Sequence, residues 1–224
     1  LAPFYLFSEI DLFEDTQPKE GPLQMAVDEI LLSVAERPLL RSYRWKDSWV
    51  SFGYAQKWRE IEEAFPGRQL VRRWTGGGAV DHLQDWTFSL IVPAAHPFRK
   101  LSVAAGYYEI HSYLKGALSR FFNGVREVEK SQQRFGNQCF LSPRSNDLSH
   151  NGVKVAGGAQ KRSSTGLLHQ GSIQHLELPA SFASAFASSL GERFSVFAPK
   201  ESIWEAAVKL STTRYKTEEW LKKI

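Results

Sequence analysis

The sequence predicts an α+β fold, with a mixed, mainly antiparallel sheet flanked by helices. Three observations predict it. Apolar and β-branched runs alternate with helical patterns but lack the regular spacing of βαβ units, which argues against a doubly wound sheet. Asn151-Gly152, between Leu148-Ser149-His150 and Val153-Lys154-Val155-Ala156, is a strong tight-hairpin signal, and hairpins join antiparallel strands. The chain has 224 residues, 42% hydrophobic and 13% aromatic, enough to build one core. Residues 1–224 are therefore read as one domain, with a helical tail from about residue 180.

The elements follow in order. Segment 22–36 places Leu23, Val27, Ile30, Leu31 and Val34 on one helical face, with Pro22 in the first turn. Segments 39–45 and 48–52 read as strands joined by a turn at Asp47-Ser48. Segment 68–74 is another strand and runs into Gly76-Gly77-Gly78. Segment 86–92 is rich in β-formers and stops at Pro93. Segment 101–122 repeats apolar residues near helical spacing through Val103, Tyr107, Ile110, Leu114 and Leu118. From 146 to 175 short strands return, with a second turn between Ser163 and Gly166. The tail is anchored by Trp204, Val208, Trp220 and Leu221. No element is assigned before residue 22.

Several function classes are excluded. No apolar run reaches the ~18 residues of a membrane span, and no signal segment opens the chain. Cys139 is the only cysteine, so an internal disulfide is impossible, which fits a reducing cytoplasm. The formal net charge of +4 is mild and would steer an acidic protein partner. Nucleic acid would call for a clustered basic run, and neither Arg72-Arg73 nor Lys222-Lys223 is one. The histidines lack metal-ligand spacing, so no metal site is expected.

Arg72-Arg73-Trp74-Thr75-Gly76-Gly77-Gly78-Ala79-Val80-Asp81-His82 is the sharpest local feature. Consecutive glycines permit positive φ and close backbone approach, so amide groups can converge on an anion or an acyl chain. Arg72 and Arg73 can offer bidentate bonds to carboxylate or phosphate. The stretch is equally compatible with a flexible surface turn and a solvated arginine pair. Lys154 lies two residues past the hairpin turn, ahead of Gly157-Gly158-Ala159, with Val153 and Val155 expected on the opposite strand face. Its ammonium can bind a carboxylate, an acyl phosphate or an oxyanion, or it can be an exposed strand lysine. Asp147, after Asn146, can help hold a metal–nucleotide or cap a turn. Cys139 is either a small buried hydrophobe or a nucleophile, if a positive setting lowers its pKa. His82 and His169 each sit beside a glycine-bearing segment.

Taken together, these segments resemble the biotin/lipoate protein ligase and octanoyltransferase superfamily. Gln24-Met25-Ala26-Val27-Asp28-Glu29 resembles its early helix. Tyr43, Trp45 and Ser51-Phe52-Gly53-Tyr54-Ala55-Gln56 resemble its first strands and loop. Arg72 through His82 resembles its Arg-Arg, triple-Gly and His signature, of the lipoate type. Asn146-Asp147, Lys154 through Gln160, and Leu168-His169-Gln170-Gly171-Ser172-Ile173 complete the ordered set. The match spans roughly residues 22 to 175.

The resemblance implies a biotin/lipoate ligase-like catalytic domain and an enzyme of protein lipoylation. Lys154 and Cys139 are the implied catalytic residues. Arg72, Arg73, Gly76, Gly77, Gly78, His82, Asn146, Asp147, Gly157, Gly158 and His169 are the implied substrate-binding residues. Two mechanisms occur in the superfamily. Octanoyltransferases take the acyl group from an octanoyl acyl carrier protein through a cysteine and need no cofactor, and Cys139-Phe140 resembles that cysteine segment. Ligases use free lipoate, ATP and Mg to form lipoyl-AMP, and Asn146-Asp147 resembles theirs. Many ligases add a C-terminal domain, for which residues 176–224 are too few. The expectation is therefore an acyltransferase, with a lipoyl domain or a glycine-cleavage carrier protein as acceptor. The ligase is the alternative, and a noncatalytic acyl-binding protein on the same fold is the third reading.

Overall fold

The computed structural model describes residues 5–128 and 145–224. Cys139 lies outside the described residues. The chain opens with strand β1 (Phe7–Lys19), helix α1 (Gly21–Val34) and strands β2 (Leu39–Trp45) and β3 (Trp49–Phe52). Helix α2 (Trp58–Ala64), β4 (Gln69–Arg72), β5 (Val80–Asp81) and β6 (Trp86–Pro93) follow, then α3 (Val103–Ser119) and β7 (Val125–Glu127). The second half contains β8 (Leu148–His150), β9 (Val153–Ser163), β10 (Gly166–Ile173), α4 (Phe182–Leu190), β11 (Gly191–Val196), α5 (Glu201–Leu210) and α6 (Glu218–Leu221). No helix among the described residues is long and apolar enough to cross a membrane.

An eight-stranded sheet in the order β11-β1-β2-β6-β10-β9-β8-β7 forms the centre. β1 pairs in parallel with β2 and β11, and the remaining pairings are antiparallel, so the sheet is mixed and mainly antiparallel as expected. One face packs on α3 and α4 through Phe88, Leu90, Ile110, Leu114, Phe182 and Phe186. The other packs on α1 and α5 through Phe13, Val27, Leu31, Ile91, Leu168 and Ala207. A small sheet, β4-β3-β5, carries its own cluster of Val50, Phe52, Ile61 and Ala79.

Register decides what each face shows. Side chains alternate across a strand, so residues in lateral register share a face. One row runs Gly157, Ser172, Thr87, Tyr43, and the next runs Ala159, Gln170, Ser89, Arg41. These small and polar rows lie beneath the start of α1 and the small sheet. The next row on the opposite face contains Gly158, Gly171 and Phe88, and a Cβ on Gly171 would stand 2.3 Å from the Phe88 ring.

The structure corrects four expectations. β1 precedes residue 22, where no element was assigned. The tail is not wholly helical, because Gly191–Val196 forms β11 on the sheet edge beside β1. Val208 anchors nothing and is exposed, as are Val34 and Val103. The buried side of α1 includes polar Gln24 and Asp28, because both pair with Arg41 beneath the helix.

Candidate active site

Lys154 reaches its position through a bulge. Ser149 pairs with Lys154 and Leu148 with Ala156, which leaves Val155 as an extra residue in β9. The expected alternation therefore fails here. Val153 faces solvent, but Lys154 and Val155 both turn inward, with 6% and 1% exposure. Lys154 Nζ lies 2.7 Å from Asp147 Oδ2, and both side chains are almost wholly buried. The other carboxylate oxygen of Asp147 accepts from the Tyr107 hydroxyl, which itself accepts from the Gly158 amide at 3.0 Å. The lysine stem packs against bare backbone, since a Cβ on Gly157 would lie 2.9 Å from its Cε. Gly157 is also a wall of a pocket on the α1 side of the sheet, so its missing side chain brings the ammonium and the pocket together.

The pocket lies between the Gly157–Tyr43 row and the small sheet. Met25, Trp45, Val80 and His82 supply its apolar and aromatic surface. His82 stacks on Trp45 with ring centroids 3.9 Å apart. Its Nδ1 lies 2.7 Å from Asp85 Oδ2 and its Nε2 lies 2.6 Å from Ser51 Oγ. Asp85 Oδ2 also accepts from Thr87 and Ser172, and Arg73 donates to Ser51 Oγ at 2.8 Å. Burial alone would push the Asp85 carboxyl up. The adjoining His82 and the two hydroxyl donors outweigh it and hold the group below the usual carboxylate range. The Asp85 carboxylate accepts from Nδ1, and Nε2 shares a hydrogen bond with the Ser51 hydroxyl. Asp, His and Ser stand in the order of a hydrolase triad. With Arg73 donating to Ser51 and the side chain buried, the same chain of bonds acts as a brace.

Arg73 shapes the glycine loop. Its Nη2 donates to the carbonyls of Gly76 and Gly78 at 2.8 and 2.9 Å. Thr75 donates to Gln170, and Gln170 donates to Asp28, which also pairs with Arg41. A run of buried polar contacts thus ties the loop to α1 and β2.

Behind Gly158, on the opposite face, lie His169 and His111. His169 is wholly buried, and a Cβ on Gly158 would stand 2.5 Å from its Nε2. His111 stacks against Tyr107 at 4.0 Å and meets His169 edge-on at 5.4 Å. Burial pushes the His111 imidazole down to about 3, and His169 falls well below its ordinary value for the same reason. Above the unfolded value of about 6.5, both histidines are neutral whether the chain is folded or not. Below it the unfolded chain binds the extra protons, so stability falls as pH falls. The slope is about 1.4 kcal/mol per pH unit for each histidine until the folded values are reached. We predict a melting temperature that drops steadily from pH 6.5 to 5, with the slope roughly halved in His111→Phe. A flat profile in the parent protein would contradict the buried pair.

The structure gathers Lys154, Asp147, Gly157, Gly158, Arg73, His82 and the glycine loop around one region. Two residues expected to bind substrate lie elsewhere. Arg72 is wholly buried and donates to the carbonyls of Tyr54, Gln56, Trp220 and Leu221, so it clamps the C-terminal helix onto β4. His169 sits behind the sheet, beneath Gly158. Asn146 adopts φ 71°, a turn conformation that asparagine tolerates, and leads into β8. Tyr107 and Asp85 were not foreseen as parts of the site. Tyr107 matched an apolar helix face, and only its hydroxyl reveals its role. Asp85, three residues after His82, offered a faint spacing signal.

Residues 21–188 match the lipoyl protein ligase A/B catalytic domain. The chain belongs to this family. It is 34% identical to the octanoyltransferase LipM of Staphylococcus epidermidis over 187 residues, 74% of this chain and 66% of that protein. It is 33% identical to the LipM of Macrococcus caseolyticus over 222 residues, 89% of this chain and 78% of that protein. The chain spans about two thirds of the length of several of these relatives. Among solved structures it is similar to protein Ta0514 of T. acidophilum with bound lipoic acid, with a TM-score of 0.76 and 21% identity. That match covers 96% of this chain and 99% of the other and shows the fold.

In this lipoyl protein ligase A/B catalytic domain, Gly77 has a specific physical reason to be glycine. Its φ is +88°, and a Cβ would lie 3.3 Å from Ala159, a residue of the pocket wall. Gly53 is equally constrained, since a Cβ there would stand 2.1 Å from the Gly77 carbonyl oxygen. We predict that Gly77→Val loses octanoate binding in calorimetry while stability falls by only about 1–3 kcal/mol, the strain of a left-handed non-glycine residue. Unchanged affinity in the folded variant would show that the loop does not border the ligand.

Proposed function

We propose that the chain moves an octanoyl or lipoyl group from a carrier-protein thioester to a lysine of a lipoyl domain or a glycine-cleavage carrier protein. The observation that carries this reading is Lys154, a buried ammonium held by Asp147 against the glycine wall of a largely apolar pocket. The names of the relatives support transfer over adenylation. In this reading the Cys139 thiolate attacks the thioester carbonyl, the C–S bond to the carrier breaks, and the carrier leaves as its thiolate. The neutral acceptor amine then attacks the acyl-cysteine, an amide forms, Cys139 departs as thiolate, and the proton lost by the amine neutralises the carrier thiolate through solvent. Lys154 donates to the oxyanion at both tetrahedral stages.

The pocket receives the acyl tail. Burial of about seven carbons contributes up to ~5 kcal/mol at ~0.8 kcal/mol per methylene, enough to select chain length. Since a thioester is already activated, the reaction as proposed consumes no ATP. It takes place in the cytoplasm, where a lone thiol stays reduced. The test pairs two incubations with a lipoyl domain, one with octanoyl carrier protein and the other with lipoate, ATP and magnesium. Intact-mass measurement should show an octanoyl adduct in the first. Adducts formed only in the second would replace the transferase with a ligase, and none in either would leave a noncatalytic binder.

A further inference from the structure

We infer that the pocket selects acyl chains that carry no hydroxyl group, because the donor protons of its polar lining are turned into the protein. The inference rests on the proposal that the pocket holds an acyl tail. For an apolar ligand the lining is unexpectedly rich in polar side chains, including Tyr43, Trp45, Ser51, His82, Thr87 and Ser172. Their protons point away from the lumen. Trp45 Nε1 donates to Thr87 at 2.8 Å, and Thr87 and Ser172 donate to Asp85 Oδ2 at 2.7 and 2.6 Å. His82 Nδ1 is bonded to the same oxygen, His82 Nε2 and Ser51 Oγ are bonded to each other, and Tyr43 donates to Asp28. The Arg73 guanidinium, also in the lining, donates to Ser51, Thr75 and the carbonyls of Gly76 and Gly78. Gln170 is committed in the same way, to Asp28.

A hydroxyl on a bound chain would thus give up its water and meet no donor in exchange. A pocket of this kind rejects an analogue that merely adds a hydroxyl by about 10²-fold. The carrier thioester that supplies this site must then come from a reaction that has already reduced its chain fully, not from an earlier hydroxyacyl stage.

Asp85 is the hub and a positioning residue. Its Oδ2 gathers three donors, whereas its Oδ1 has no hydrogen-bond partner among the described residues. An asparagine can present its carbonyl to the same three donors, and an alanine cannot.

The test compares octanoate with 3-hydroxy- and 8-hydroxyoctanoate by calorimetry, which requires no transfer. The parent protein should bind octanoate about 10²-fold more tightly than either hydroxy acid. Asp85→Asn should keep that ratio, and Asp85→Ala should shrink it to roughly a few-fold, because the freed hydroxyls can then meet the ligand. Equal affinity for all three acids in the parent protein overturns the inference even if Asp85→Ala does not fold. An unchanged ratio in a folded Asp85→Ala overturns the role of the hub. A preserved preference without octanoyl transfer to a lipoyl domain would sink the transferase reading and leave this inference standing. Absence of octanoate binding would sink both.

Discussion

Lys154→Ala is expected to lower octanoyl transfer by about 10²–10³-fold, the usual cost of losing one preorganised donor to an oxyanion. The structure adds a second effect. The buried Asp147 carboxylate would lose its ammonium, and breaking a buried pair costs about 3–5 kcal/mol. The single variant therefore mixes lost chemistry with lost stability. Lys154→Met combined with Asp147→Asn removes both charges together, and this double variant should regain much of the stability and none of the activity. Lys154→Arg should fail as well, because the lysine end packs directly against Gly157 and a planar guanidinium cannot replace a compact ammonium there. Thermal melts and single-turnover transfer on the three proteins separate these effects. A folded double variant with parental turnover would remove Lys154 from the mechanism.

Cys139→Ser is the second large effect. A thiolate attacks thioesters readily, whereas a serine hydroxyl without a strong base does not. The transferase reading requires nearly complete loss of activity with octanoyl carrier protein. It also requires an octanoyl adduct on the parent protein that hydroxylamine removes. In an ATP-dependent ligase the adenylate supplies the activated acyl group, so the serine variant would remain active there. Lipoyl transfer from ATP at the parental rate in Cys139→Ser would overturn the transferase assignment.

Much of this architecture can be read from the residues in sequence order. The Asn151-Gly152 hairpin is present, with φ of 51° and 80° at the two turn residues, and the elements expected between residues 22 and 175 lie close to where periodicity places them, whereas the short α2, β5 and β7 have no counterpart in that reading. Other elements are hidden for a physical reason, namely that their partners are distant. β1 carries Glu9, Asp11, Glu14 and Asp15, too acidic to read as an inner strand. Three of those charges are matched by Arg37, Arg193 and Arg41, which no local window contains. Arg72 resembles a ligand-binding arginine until residues 220 and 221 bring their carbonyls to it. The loop, Lys154 and the glycines of β9 were legible because their chemistry is local. Tyr107 and Asp85 belong to the site only through folding.

The bulge at Val155 makes the placement of Lys154 a matter of counting. Up to the bulge and beyond it, β9 keeps two different reading frames, and the single supernumerary residue is the offset between them. Val153 and Val155 therefore behave differently under change of identity and change of number. Another aliphatic residue at either position preserves the offset. Loss of one residue there merges the frames and either swings the lysine toward solvent or turns the Gly157 row against α3, since a one-residue slip exchanges the two faces of a strand. The hairpin should therefore accept aliphatic substitution at Val153 or Val155 and not the deletion of either, because its length is held by geometry.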